Sequence, residues 1–134
     1  MTARLSWNGG LTDRLKAAEV TSVDDLDRLL DHLTTQAHDL GIPFDVTIDP
    51  GDGTSMGIVV GGAAAVVQWI RDDPWDCQVS TADSADDGVV QFTGGGQFSE
   101  LPRRHWTEVA LARQATRHYF TTGELTPRVR WETF

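Results

Sequence analysis

Of the side chains that advertise chemistry, this 134-residue chain carries few: one cysteine, one lysine (Lys16) and four histidines. A lone cysteine excludes an internal disulfide and any zinc site built on cysteine pairs. No segment opens with a basic patch followed by an apolar run, so no secretory leader is expected. The longest apolar stretch, Ile58 to Val67, is too short to span a bilayer and is broken by Gly61 and Gly62. Internal repeats, low-complexity tracts and linkers long enough to separate domains are all lacking. Residues 1–134 therefore read as one domain, able to bury roughly two-thirds of its unfolded surface. The simplest expected location is the cytoplasm.

Positive charge is scarce in one region above all. From Glu19 to Asp87 fifteen carboxylates face only Arg28 and Arg71, a local net of −13, whereas the two ends each come out at +2. An acidic middle repels nucleic acid and anionic membrane and favours a basic partner. Simple solubility, or an organism whose proteins are acidic throughout, would produce the same balance.

What is present is periodic. Ser22 and Asp25 form a weak capping pair, and Val23, Leu26, Leu30, Leu33, Ala37 and Leu40 step by three and four to Gly41, which predicts a helix. Phe44, Val46 and Ile48 alternate with Asp45, Thr47 and Asp49 as a strand with one wet face, and Pro50 to Gly53 reads as a turn. Ile58 to Val60 fits a central strand. Ala64 to Arg71, then Trp75 to Val79, then Val89 to Phe92 read as further strands, with an acidic loop over Ala82 to Gly88 and a flexible turn at Gly94 to Gly96. Pro102 suits a first helical turn. Trp106, Val109, Ala112, Thr116, Tyr119 and Phe120 make an apolar face after it, Arg117 and His118 are placed in the last turn, and Gly123 stops the helix. After Pro127, Val129 and Trp131 alternate with Arg128, Arg130 and Glu132 as a closing strand. The expected fold is α+β: an antiparallel β-meander with an N-terminal and a C-terminal helix packed on it, and a closing C-terminal strand.

A search for catalytic sets returns little. Cys77 lies on the apolar side of its strand, where a small buried hydrophobe is the ordinary reading. His32 and His38 are six apart on a helix and point in different directions, and His105 and His118 lie near opposite ends of another. Asp49 to Thr54 superficially matches a calcium loop but lacks the alternating third ligand and the closing Glu. Gly94 to Gly96 is followed by no helix with lysine, so it is no phosphate cradle. The His-x-Glu and Pro-Cys-x-x-Cys signature of zinc deaminases is absent. No catalytic residue, cofactor or metal is expected. Of five tryptophans, Trp69, Trp106 and Trp131 sit on apolar faces and are assigned to the core. Trp7 and Trp75 border turns. Trp75, beside Asp72, Asp73 and Asp76, is either an interface anchor or tucked under the sheet.

The closing segment, with Phe120, Thr122, Gly123, Pro127, Val129 and Trp131, resembles the Imm1 immunity proteins of bacterial polymorphic-toxin systems. The glycine-flanked strand around Ile58 to Gly62 and the Gly-rich turn after Phe92 fit the same family, and the resemblance runs from about Val20 to the end. It implies a non-enzymatic protein that neutralises a cognate toxin encoded next door, often a deaminase of nucleic acids or nucleotides. With the signature above missing, this chain would be the antidote. The expected partner is a toxin with a basic surface, bound at its active or substrate-binding site. Contact is assigned to Asp72, Asp73, Trp75, Asp76, Asp83, Asp86 and Asp87, and a structural role to Trp106, Phe120, Gly123, Pro127 and Trp131. A second acidic set, Asp24, Asp27 and Asp31, lines the first helix. Two other readings stand beside this one: a small enzyme using Cys77, a histidine and a loop carboxylate, or a regulatory or scaffolding domain without its toxin.

Overall fold

The computed structural model describes residues 2–82 and 87–134. In chain order the elements are β1 (Ala3–Trp7), β2 (Lys16–Val20), α1 (Val23–Leu40), β3 (Phe44–Asp49), β4 (Thr54–Val60), β5 (Val67–Arg71), β6 (Asp76–Thr81), β7 (Val89–Gly94) and β8 (Gln97–Pro102). A 3-10 turn (Arg103–His105), α2 (Val109–Thr122) and β9 (Arg130–Thr133) complete it. The sheet runs β2-β1-β3-β4-β5-β6-β9, every neighbour antiparallel. The β7–β8 hairpin hangs off this path through one parallel pair, Phe44 with Thr93. The α+β meander with a helix near each end is therefore as expected, and β9 takes the edge beside β6.

Strand alternation sorts the side chains into two cores. Leu5, Phe44, Val46, Ile48, Met56, Ile58, Val60 and Val67 point to one face, where both helices cover them with Leu26, Leu30, Leu33, Ala112, Ala115, Tyr119 and Phe120. Ser22 caps α1, its Oγ accepting the Asp25 N–H at 3.1 Å, and Gly41 ends the helix in the left-handed conformation. Leu40 lies past the buried stripe and is exposed. Gly61, at φ +98°, sits against Ala37, and a methyl group there would collide with the Ala37 side chain. Glycine thus sets how closely α1 lies on the end of β4.

The second core lies on the opposite face. Val59, Val66 and Val79 of the sheet meet Phe92 of the hairpin and Trp106. The last two rings meet edge to face, centroids 5.9 Å apart. This corrects the expected helix start: α2 begins at Val109, not Pro102. Pro102 ends β8 opposite Val89, at an edge where its missing N–H costs no ladder bond. The residues after it are held by the sheet ends: the Arg103 N–H bonds to Gly88 O, the Ala82 N–H to Arg104 O, and Ala65 and Thr107 exchange both backbone bonds. Those bonds keep the backbone out of a helix and turn Trp106 to the hairpin side, while Val109 remains exposed. Arg117 also departs from expectation. It lies more than a turn before the end of α2 and reaches across to α1. Trp131 is only half buried against the first core, its indole N–H donating to Thr126 O at 2.9 Å.

Candidate functional site

The connections β3–β4 and β5–β6 fall at the same end of the sheet, because β4 and β5 pair from Thr54 with Arg71. The Asp72 N–H donates to Gly53 O at 3.0 Å and ties the two turns together. Asp49 and Asp52 thereby join Asp72, Asp73 and Asp76 on one rim. Trp75 stands on the same rim with 68 % of its surface exposed, so it does not tuck under the sheet. Arg71 is the cation placed among them. Its guanidinium donates to Pro74 O at 2.9 Å, lies 3.8 Å from the Asp76 carboxylate and sits 5.5 Å from the centre of the Trp69 ring. The turn that carries Trp75 is thus pinned at its base while its indole faces solvent.

The carboxylates of the neighbouring turn are organised from within. Asp49 accepts the Gly51 N–H at 2.8 Å, and Asp52 accepts both the N–H and the hydroxyl of Thr54. The Thr54 oxygen in turn meets the Tyr119 hydroxyl at 2.6 Å, linking the rim to α2. Burial, reinforced by the charges of Asp52 and Asp49 and opposed by the Thr54 bond, pushes the Tyr119 hydroxyl up to about 12. It remains a proton donor throughout the physiological range. One oxygen of each, Oδ1, is thus turned to its own loop. Among the described residues no three His, Cys, Asp or Glu side chains converge as metal ligands would.

The seven residues assigned to contact do not form one patch. Asp72, Asp73, Trp75 and Asp76 lie together, whereas Asp87 is exposed beyond the other end of β6. A six-residue strand separates them, roughly 17–20 Å. Asp83 and Asp86 lie outside the described residues. Asp49 and Asp52, outside the sequence assignment, share the rim with four of its members; strict hairpin alternation, which returns every second turn to the same end, was the signal for that neighbourhood.

The α1 carboxylates face elsewhere. Arg117 Nε donates to both oxygens of Asp27 at 2.9 Å, and Arg113 reaches the Asp27 carboxylate at 3.3 Å, the Asp27 backbone carbonyl at 3.1 Å and Asp31 at 2.9 Å. Two of the three acids of that set therefore clamp α1 to α2.

Nucleophiles are similarly committed. Cys77 is buried and its sulfur accepts from Gln68 at 3.2 Å. Ser80, His105 and Glu132 come together, which sequence reading did not anticipate, but not as a triad. The Ser80 hydroxyl donates to the His105 carbonyl at 2.8 Å and accepts the Val67 N–H, and His105 Nδ1 lies 3.2 Å from the Ser80 carbonyl. His105 is 2 % exposed, and Glu132 stands 3.9 Å from it. A hydrogen bond from Arg104 holds Glu132 below the usual carboxylate range. These contacts fasten the 3-10 turn to β6 and β9. Of the motif residues, Phe120 is buried, Gly123 ends α2 at φ +75° with its N–H on Tyr119 O, and Pro127 is exposed.

The family model for immunity protein Imm1 matches residues 14–133. No curated protein matches the chain.

Proposed function

This chain belongs to the Imm1 family of immunity proteins, and from that premise we propose that it neutralises a toxin by docking the rim of Asp72, Asp73, Trp75 and Asp76 onto it. The toxin is a deaminase-superfamily domain with a basic surface, encoded beside this chain, and capture takes place in the cytoplasm. Docking at the substrate groove occludes it without any chemistry by the antidote, and neither nucleic acid nor membrane takes part. The observation that carries this reading is Trp75, a large aromatic held out to solvent by a pinned turn between carboxylates. Buried aromatics hold interfaces, whereas charges around them mainly speed encounter.

The test is association kinetics with the toxin domain encoded next to the gene, at two ionic strengths. Asp72→Asn/Asp73→Asn should slow association and flatten its salt dependence while dissociation changes little. Trp75→Ala should leave association nearly intact and speed dissociation by about thirtyfold or more, the loss of about 2 kcal/mol expected of a central anchor. Wild-type rates in both variants, insensitive to salt, would remove the rim from the interface.

A further inference from the structure

Under the β7–β8 hairpin lies a cleft of about 250 Å³, walled by Asp45, Gly57, Val59, Val66, Gln68, Phe92, Gly94, Ser99 and Leu101. Its floor is the sheet face opposite the helices. Asp45 is across from Val59 and Gly57 from Gln68, so these four residues share that face. Gly57 leaves a gap in the floor: a methyl group there would meet nothing closer than Val46 O at 3.8 Å. The roof is fixed at its tip, where Gly96 lies against the Thr12 carbonyl too closely for any side chain. The cleft is therefore a built feature of the sheet and the hairpin together.

Asp45 is the charge inside it. It is half buried, and its carboxylate draws on the N–H groups of Gly95 and of its own residue, with no cation beside it among the described residues. Burial raises its pKa, and the two N–H groups oppose that rise. A desolvated carboxylate without a counter-charge is costly, and a cation brought to it relieves that cost. The Ser99 hydroxyl lies beside the same point at Gly94 as the Asp45 carboxylate, and Gln68, whose amide nitrogen is engaged by Cys77, lines the cleft further along. Val59, Val66, Phe92 and Leu101 supply apolar walls. The space is below the roughly 300–1,000 Å³ of small-molecule pockets and suits a single long side chain. An apolar stem ending in a planar group rich in N–H donors is arginine.

We infer that this cleft receives one arginine side chain of the protein partner, its guanidinium on Asp45 and its methylenes between Val59, Val66, Phe92 and Leu101. The inference rests on the reading of the chain as a toxin binder and adds a second point of contact, on the sheet face instead of the rim.

The test uses the full chain, labelled for amide NMR, and N-acetyl-arginine amide as probe, with N-acetyl-citrulline amide as its uncharged isostere. The arginine probe should shift the amides of Gly57, Gln68, Gly94 and Gly95 saturably, with a dissociation constant on the order of millimolar. Citrulline should bind at least about tenfold more weakly, and so should arginine to Asp45→Asn. Gly94→Ala keeps the charge but places a methyl group 3.6 Å from the Asp45 oxygen and 3.3 Å from the Phe92 ring, so it too should weaken the probe. Each variant is first checked for a wild-type amide spectrum away from the cleft. Equal response to the two probes, shifts scattered elsewhere, or binding indifferent to both substitutions would overturn the inference. Probe binding by a chain that fails to capture the neighbouring toxin would overturn the proposed function and leave the cleft standing.

Discussion

Replacing Asp27 by Asn should cost stability and leave toxin capture alone, although Asp27 belongs to an acidic stretch that on sequence grounds competes for the role of binding face. The Asp27 carboxylate is the meeting point of two arginines of α2. Arg117 is 43 % exposed, so water can replace what it loses, and its share resembles an exposed ion pair, about 0.2–1 kcal/mol. Arg113 is different: only 13 % of its side chain is exposed and its Nε is already without a hydrogen-bond partner. A charge-assisted bond to such a group is worth about 1.5–3 kcal/mol, some of which Asp31 retains. The expected loss is about 2 kcal/mol. In urea, at a slope of about 2 kcal/mol/M, the midpoint should fall by about 1 M with the slope unchanged. Asp24→Asn is the control, since Asp24 is exposed and outside this network; its effect should stay within about 0.5 kcal/mol. An Asp27→Asn chain as stable as wild type but slow to capture toxin would refute the reasoning and move the interface to the helices.

Tyr119 is the only tyrosine, so phenolate absorbance in an alkaline titration reports one group. The folded chain should ionise near pH 12, against the ordinary 10.0. Because the folded value is raised, the stability tied to this hydroxyl is complete below the ordinary value and lost as pH climbs through 12. A midpoint near the ordinary value with the fold intact would contradict the burial of this hydroxyl, which is what raises it. Trp131→Ala should cost roughly 2–4 kcal/mol, read from thermal unfolding, because the indole is half buried and also loses its bond to Thr126. An unchanged melting temperature with lost toxin binding would make Trp131 a contact residue.

The elements read correctly from the sequence are those whose burial is one-sided and local. α1 carries its own cap, stripe and stop, and β3 alternates without a fault, so neither needs the rest of the chain to be recognised. β1 is not read although it lies between β2 and β3 with Ala3 and Leu5 buried; the other elements not read are those whose apolar content is low because of where they sit. β2 is an edge strand with Val20 as its one buried residue, and β8 is the exposed half of a hairpin. Edge position removes the alternating signal. The helix start failed for the opposite reason. Residues 102–108 do carry a helical pattern, but backbone bonds to Gly88, Ala82 and Ala65 outweigh it. Tertiary pairing overrode local propensity.

For the site, charge counting and charge placement diverge. Fifteen carboxylates between Glu19 and Asp87 look alike in a sequence. In the fold, Asp27 and Asp31 clamp two helices, Asp49 and Asp52 shape a turn, and Asp45 lines the cleft under a hairpin with no cation beside it among the described residues. Asp72 and Asp73, by contrast, are exposed, and Arg71 beside them faces Asp76 and Pro74 instead. Trp75 could not be assigned by periodicity, since it alternates correctly with Cys77 and Val79. What turns it outward is that β6 begins one residue later, at Asp76, leaving the indole in the turn. A single residue of strand boundary thus separates a core tryptophan from an exposed anchor, and such boundaries are the least legible feature of any strand. The exposure of Trp75, more than the net charge of −9, is what supports the proposal that this rim docks the partner.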